Sequence, residues 1–512
     1  MSDLEPEKYS IDEMMDRLKS RESSVDKGEL VKRSDGTMAV RTKKRKRRTN
    51  QTVNKEQKRN QRIQILQLAA FVVLLLLMFF VAGLGILYAN SSSFRKGLIS
   101  KVENTTGATV VLHQFRMNPA TANASKVNMD WPSSGLLQQL EVHSVIAKIE
   151  PISFLGRSFR GEEIVANRGD LILRVPEQGQ IEATESPSDG GGKIRFQRYA
   201  VPNLNIYYGD SEEKKLVLEK TEASFFPSKI RGHGEIRLNK GRINFENWLP
   251  LQLDRSYINV KAKELEVRSM RLLIPSPDSR KAPDRGILEL SGELLPYQVD
   301  GVYTLGVKLD GFRLSPLLGR DLGRFFLGRV VTIDEIGANF LSLDPEQGTA
   351  ALEVAISNAI DSRIDLASFR FLSFLALTLD DRWYDLPNFS SKASAILKRR
   401  GQEVELTDIN FEERGRMALR GALTTNDEGI ISGALRVGIP ESMIAASKNG
   451  RLDSIFGIVR EGYRWVDLEI GGSSSEPTDN FKELYESASA SANTSSGQNT
   501  PEDSNPLEEE IE

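Results

Sequence analysis

Three histidines, His113, His143 and His233, are the only imidazoles in 512 residues, and the chain has no cysteine. They stand on separate strand-like segments with no H-x-H or H-E-x-x-H spacing, so no zinc site is spelled out. Ser93-x-x-Lys96 matches the spacing of a serine nucleophile with a lysine base. It lies at the edge of a long apolar run, however, and patterns this short recur by chance. Asp380-Asp381 and Glu162-Glu163 are adjacent carboxylates. An acid/base couple needs two carboxyls in unlike environments, whereas neighbours in polar sequence are ordinarily both solvated. There is no G-x-S-x-G, no P-loop and no G-x-G-x-x-G. The expectation is a protein with no catalytic, cofactor-binding or metal-binding residues, not an enzyme.

The element that organises the chain is apolar. Twenty-six residues from Ile63 to Tyr88 carry no charge, enough to cross a hydrocarbon core as one helix. Between Arg41 and Arg62 stand 11 basic residues against one acid, Glu56. The positive-inside rule then places 1–62 in the cytoplasm and the rest of the chain on the other side. A cleaved signal peptide is disfavoured, because the apolar run is too long and the polar leader far exceeds an ordinary n-region.

Charge divides the chain further: residues 1–62 sum to +7, residues 471–512 to −9, and the remainder to −1. A nearly neutral exported body argues against nucleic acid as a partner. An exported body of this size without cysteine points to a bacterial inner membrane with the body in the periplasm. The N-x-[ST] matches at Asn104, Asn123 and Asn388 are then chance. The domain reading is a basic, largely disordered cytoplasmic segment 1–62, a transmembrane helix 63–88, a β-rich body 91–470 and an acidic, Ser/Glu-rich disordered tail 471–512. Ser10 to Glu13 forms a capping box that starts a short helix near 11–21, which a cytoplasmic partner could hold. Lys43 to Arg48 reads as a topology determinant that touches anionic lipid.

Beyond the apolar run the period changes to two. Ala108–Phe115, Ser144–Ile149, Gly169–Val175 and Lys193–Tyr199 alternate or nearly so. Later strands are expected at 258–274 (long, with a bulge), 286–294, 302–309, 330–343 and 350–356. Asn426 to Gly429 marks a hairpin between 416–423 and 430–439. Helices are expected at 94–102, 314–327, 365–377 and 441–447, and a further one near 481–486. The fold class is therefore mainly β: an elongated, curled, antiparallel-rich sheet with few short helices, preceded by one transmembrane helix.

The order of these features resembles the AsmA-like family. The single span is followed by a short helix and a first strand over Ser92–Phe115. A strand, a crossing and a second strand follow over Glu141–Val175. The closing segments are Met417–Ile444 and Tyr463–Phe481, with Gly472 and Pro477 in the final motif. The resemblance covers about 94–481. It implies an inner-membrane anchor and a periplasmic sheet whose apolar concave face forms an open groove for phospholipid acyl chains, in a role in outer-membrane biogenesis. Acyl burial needs no polar motif, since apolar contact contributes about 25 cal/mol per Å². The alternative is an envelope scaffold or assembly factor whose apolar face is an ordinary packed core. Leu288, Leu290, Val354 and Ile356 are the aliphatics expected to face inward in one of the two possible registers.

Overall fold

The computed structural model describes residues 12, 15, 29–41, 51–132, 136–150, 159–174, 194–209, 214–230, 232–244, 248, 250–261, 264–275, 286–295, 303–335, 339–344, 349–447 and 449–495. Two compact units divide the chain, 1–83 and 84–512. In the first, β1 (Glu29–Lys32) and β2 (Met38–Arg41) form a hairpin that alternation did not announce. Of the helix expected near 11–21, only Asp12 and Met15 are described, both helical. Helix α1 runs Gln51–Ala89, and its part Leu68–Ala89 is long and apolar enough to cross a membrane. Leu74, Phe79, Phe80 and Leu87 on it are all more than half exposed.

In the second unit, α2 (Ser92–Thr106) is capped by the Ser91 hydroxyl and ends at Gly107 in the left-handed region, φ 71°. Asn90 fixes the start: its side chain donates to the Met117 carbonyl and accepts from the Met117 N–H, both at 2.8 Å. The strands then follow as β3 (Thr109–His113), β4 (Arg116–Met117), β5 (Thr121–Asp130), β6 (Leu137–Ile149) and β7 (Phe159–Leu173). Next come β8 (Ile194–Tyr208), β9 (Lys215–Pro227), β10 (His233–Asn239), β11 (Arg242–Ile243), β12 (Leu251–Lys261) and β13 (Glu264–Leu273). Pairing is antiparallel throughout except β7 with β8, which run parallel.

The long strand expected over 258–274 is a hairpin of β12 and β13. Ile258 lies opposite Val267, and the apolar set moves from even positions (258, 260) to odd ones (265, 267) across the turn, a one-residue slip that alternation reads equally well as a bulge in one strand. The next strands are β14 (Ile287–Leu294), β15 (Tyr303–Asp310) and β16 (Phe312–Arg313). The helix expected over 314–327 is reduced to two single turns, α3 (Leu314–Leu317) and α4 (Gly319–Leu322). Gly319 at φ 73° breaks it, and Phe326 begins a strand. The strand expected over 330–343 divides into β17 (Phe326–Thr332) and β18 (Phe340–Asp344).

β19 (Thr349–Asn358) and β20 (Ile364–Leu366) precede α5 (Arg370–Leu379), with Ser368 at φ 67° between the last two. The helix expected at 365–377 is thus present but starts later. There follow β21 (Asn388–Phe389), β22 (Lys392–Arg400), β23 (Glu403–Glu413), β24 (Met417–Thr425) and β25 (Ile431–Pro440). The unit closes with α6 (Glu441–Ser447), as expected, then α7 (Gly450–Ile455), β26 (Ile458–Arg460), β27 (Tyr463–Gly472), β28 (Pro477–Asp479) and α8 (Phe481–Ser495). The expected disordered tail 471–512 therefore carries a strand and a helix in its first half, anchored by the fully buried Phe481. A single buried aromatic can order a segment whose average composition is polar.

The chain is mainly β with few short helices, as expected. Neighbour to neighbour, the strand order returns to its start. Residue by residue, however, the registers join β3 and β4 only to β5, and β28 only to β27. The apparent ring arises where broken strands such as β10 and β11 share the neighbours β9 and β12. The hydrogen-bonded run thus has two ends among the described residues.

That run is curled. β8 and β15 are six pairings apart, about 29 Å in a flat sheet, yet Tyr303 and Asp344 both act on the Tyr208 phenol. With burial as the main cause, they push its pKa up to about 12.

Candidate functional site: an apolar sheet face

Residues directly opposite on paired strands share a face, so the registers sort side chains into files that cross the sheet. One file reads Met129, Leu140, Leu171, Ile206, Leu218, Ile243 and Leu251, each opposite the next, on seven successive segments β5 to β12. A second reads Ile164, Tyr199, Phe225, Ile236, Ile258 and Val267, from β7 to β13. Both belong to the face that packs inward: Ile206, Ile236 and Ile258 touch the main core, and Ile164 and Tyr199 a smaller one beside α2.

Between the two files the alternation slips by one residue on almost every strand, and two consecutive residues face outward. The pairs are Ser125-Lys126, His143-Ser144, Asn167-Arg168, Glu219-Lys220, Asp254-Arg255 and Arg268-Ser269. Eight of the twelve are exposed and the other four half-buried, and Ser144 and Lys220 sit at φ 53°. A slip on one strand alone would turn its apolar set to water. Matching slips on neighbouring strands keep the apolar side chains on one face while bending the sheet.

Burial changes along each file. Met129, Leu140, Leu171 and Ile206 are half-buried, while Leu218, Ile243 and Leu251 are buried. In the second file Ile164 to Ile258 are half-buried, but Val267 is 2% exposed, and the file continues through Leu305, Leu341 and Leu352 at 2–3%. The sealing elements are α3 to α8, whose residues Leu317, Leu322, Phe371, Leu375 and Phe481 fill the inner face of the C-terminal half. The first file is therefore half-buried over β5–β8 and the second over β7–β12, and both run into a packed core beyond.

The second file ends on a cation. Arg399, opposite Leu352, is 3% exposed and lies 4.7 Å over the Trp248 ring. Its Nη1 donates to the Pro316 and Leu317 carbonyls at 2.9 and 3.0 Å, and its Nε to Gly401. Burial pulls its pKa down to about 10. The guanidinium caps α3 inside the core, a structural task. Tyr199 is likewise held above the ordinary phenol range by burial.

The chemistry-bearing residues of the sequence do not converge. His113 is at an exposed strand end, and His143 Nε2 is 2.9 Å from Glu141 on the outer face. His233 begins β10. Ser93 and Lys96 are both exposed on α2. Glu163 meets Lys148 at 2.6 Å, a contact that lowers its pKa, while Glu162 is exposed. Asp381 caps a 3-10 turn by accepting from the Trp383 N–H at 2.9 Å, and Asp380 ends α5 in the left-handed region. No cluster of three metal-ligating side chains occurs among the described residues.

Leu288, Leu290, Val354 and Ile356 do face inward, but at 2% exposure or less they belong to the sealed part, not to the half-open one. The half-buried residues were missed because strand-by-strand alternation carries no information on which strands a helical layer will cover. No family model, curated protein or solved structure matches the chain.

Proposed function

We propose that this chain is an AsmA-like envelope protein, anchored in the bacterial inner membrane by Leu68–Ala89, whose body handles phospholipid acyl chains on the half-open part of its sheet. The observation that carries this reading is the pair of cross-strand files, uncharged and only half-buried from Met129 to Ile206 and from Ile164 to Ile258. Hydrocarbon laid there gains about 25 cal/mol for each Å² removed from water. An extended apolar face of this kind on a chain with a membrane-length helix suits lipid better than a polar substrate.

Photo-crosslinkable residues placed at Leu171, Ile206 and Ile236 of the full chain in cells are expected to capture lipid, read by mass spectrometry. The same residue at the outward positions Ser125, Asn167 and Arg268 should capture none. Protein adducts at the three inward positions, with no lipid, would establish the scaffold reading instead.

The orientation follows from the 11 basic residues between Arg41 and Arg62, which hold the N-terminus in the cytoplasm. Protease added outside spheroplasts should then digest the body and spare the first 62 residues. A protected body would reverse the topology.

A further inference from the structure

We infer that the corner where α1 meets the sheet is a rigid seat on the bilayer surface, at which Arg95, Lys96 and Arg116 hold anionic lipid headgroups of the leaflet that the helix leaves. This rests on the reading of Leu68–Ala89 as a span, and not on acyl binding by the sheet.

No linker separates the helix from the body. Its last residues, Leu84–Ala89, belong to the second unit. Ala89 is 1% exposed, in one apolar cluster with Met117, Ala122, Ala147 and Phe159, and Gly85 one turn earlier is buried too. On the same turn Leu84, Leu87 and Tyr88 are 50–71% exposed, a face suited to hydrocarbon. Asn90 closes the corner. Its Nδ2 donates to the Ile86 carbonyl at 2.9 Å and to the Met117 carbonyl at 2.8 Å, so Met117 stands level with the last turn of the helix. The Tyr88 and Phe94 rings meet edge-on at 5.7 Å across the bend. With the span ending at Ala89, Met117 and its neighbours lie in the headgroup layer, which is about 5–7 Å thick on each side.

The charges at that level have no partner within the protein. Arg95 and Lys96 stand near the start of α2, the end of a helix that disfavours cations, and its first turn holds no acid. Lys96 is exposed, and the Nε of half-buried Arg95 lacks a hydrogen-bond partner. Arg116 is exposed on β4, beside Met117. None of the three makes an ion pair among the described residues. By contrast, Lys126 on β5 and Lys148 on β6 are held by Glu141 at 2.7 Å and Glu163 at 2.6 Å. The turn from Asn118 to Ala120 is exposed and uncharged, and Glu150, the first exposed acid along this rim, lies past it. Cations held rigidly at headgroup depth attract anionic lipid.

The chain has no cysteine, so single cysteines can be labelled cleanly. The full chain in lipid nanodiscs of equal anionic and zwitterionic phospholipid would carry bimane at Asn118→Cys, at Leu77→Cys in the span or at Lys308→Cys on β15. Each lipid in turn would bear a nitroxide quencher high on its acyl chain. Quenching is expected at 77 and 118 and not at 308. At 118 the anionic quencher should act roughly five-fold more strongly, the enrichment that one cation near a charged surface gives. Lys96→Gln with Arg116→Gln should bring that ratio close to one while far-UV circular dichroism is unchanged. Strong quenching at 77 with none at 118 would overturn the seat and leave the span standing. Equal quenching by both lipids at 118, or a preference that survives the two substitutions, would overturn the headgroup contact. No quenching at 77 would overturn the span and the seat together.

Discussion

Val354→Asp should abolish the folded body, whereas Ile236→Asp should leave it folded and strip its lipid. Both are branched aliphatics on the inner face of one sheet. Val354 is fully buried, opposite Leu397 and sealed by the helical layer. A carboxylate there has neither water nor a partner, and its desolvation costs several kcal/mol even after protonation. That approaches the 5–15 kcal/mol by which a whole domain is stable. Ile236 is half-buried, with half-buried Phe225 and Ile258 on either side. A carboxylate at that site reaches solvent, so the cost to folding is roughly 1–2 kcal/mol while an acyl chain meets a charge. Circular dichroism reads the first effect and lipid mass spectrometry of the same samples the second. If Ile236→Asp unfolds the body as Val354→Asp does, the half-open face is as much core as the sealed one. If it folds and keeps its lipid, the tails lie elsewhere.

The contrast between those two positions also marks what could be read from the sequence. Leu288, Leu290, Val354 and Ile356 alternate in their strands, and alternation correctly put all four on one face. What covers that face is a long-range matter. α5 and α8 meet through Phe374 and Phe481, whose rings are 5.6 Å apart across more than a hundred residues of sequence. No local period encodes that distance. The hairpin of β12 and β13 failed for a related reason: the apolar set shifts by one position between Val260 and Leu265, and a shift of one residue reads equally as a bulge in a single long strand. The matched slips at Ser144 and Lys220 were invisible strand by strand, because each looks like noise until the registers align them across the sheet. By contrast, the apolar run before Tyr88 and helix Glu441–Ser447 were legible, since length and a preceding proline are local signals.

Removing the chain from Phe481 onward is expected to cost the body as much as a large core deletion, although the removed sequence is acidic and rich in serine. Phe481 is fully buried, edge-on to Phe374 at 5.6 Å and to Phe456 at 6.3 Å. Tyr485, one turn later on α8, packs edge-on to Phe374 at 5.1 Å. The approach to the helix is clasped as well. Asp479 accepts from the Phe371 N–H at 2.9 Å and from the Phe481 N–H at 3.2 Å, so one carboxylate caps the starts of α5 and α8 together. Asn480 accepts from the Glu469 N–H at 3.0 Å and ties the same turn to β27. Phe481→Ala alone should cost roughly 3–5 kcal/mol, the usual range for emptying a buried aromatic site. Truncation after Asn480 should cost at least as much, because it also bares Phe374 and Phe456. Thermal unfolding of the body should show both as a drop on the order of 5–10 °C. Glu483→Ala, exposed on the same helix, should shift the midpoint by no more than about a degree. A truncated body that melts with the intact one would show that α8 only rests on the surface, and that the inner face of the C-terminal half is sealed by α5 to α7 without it.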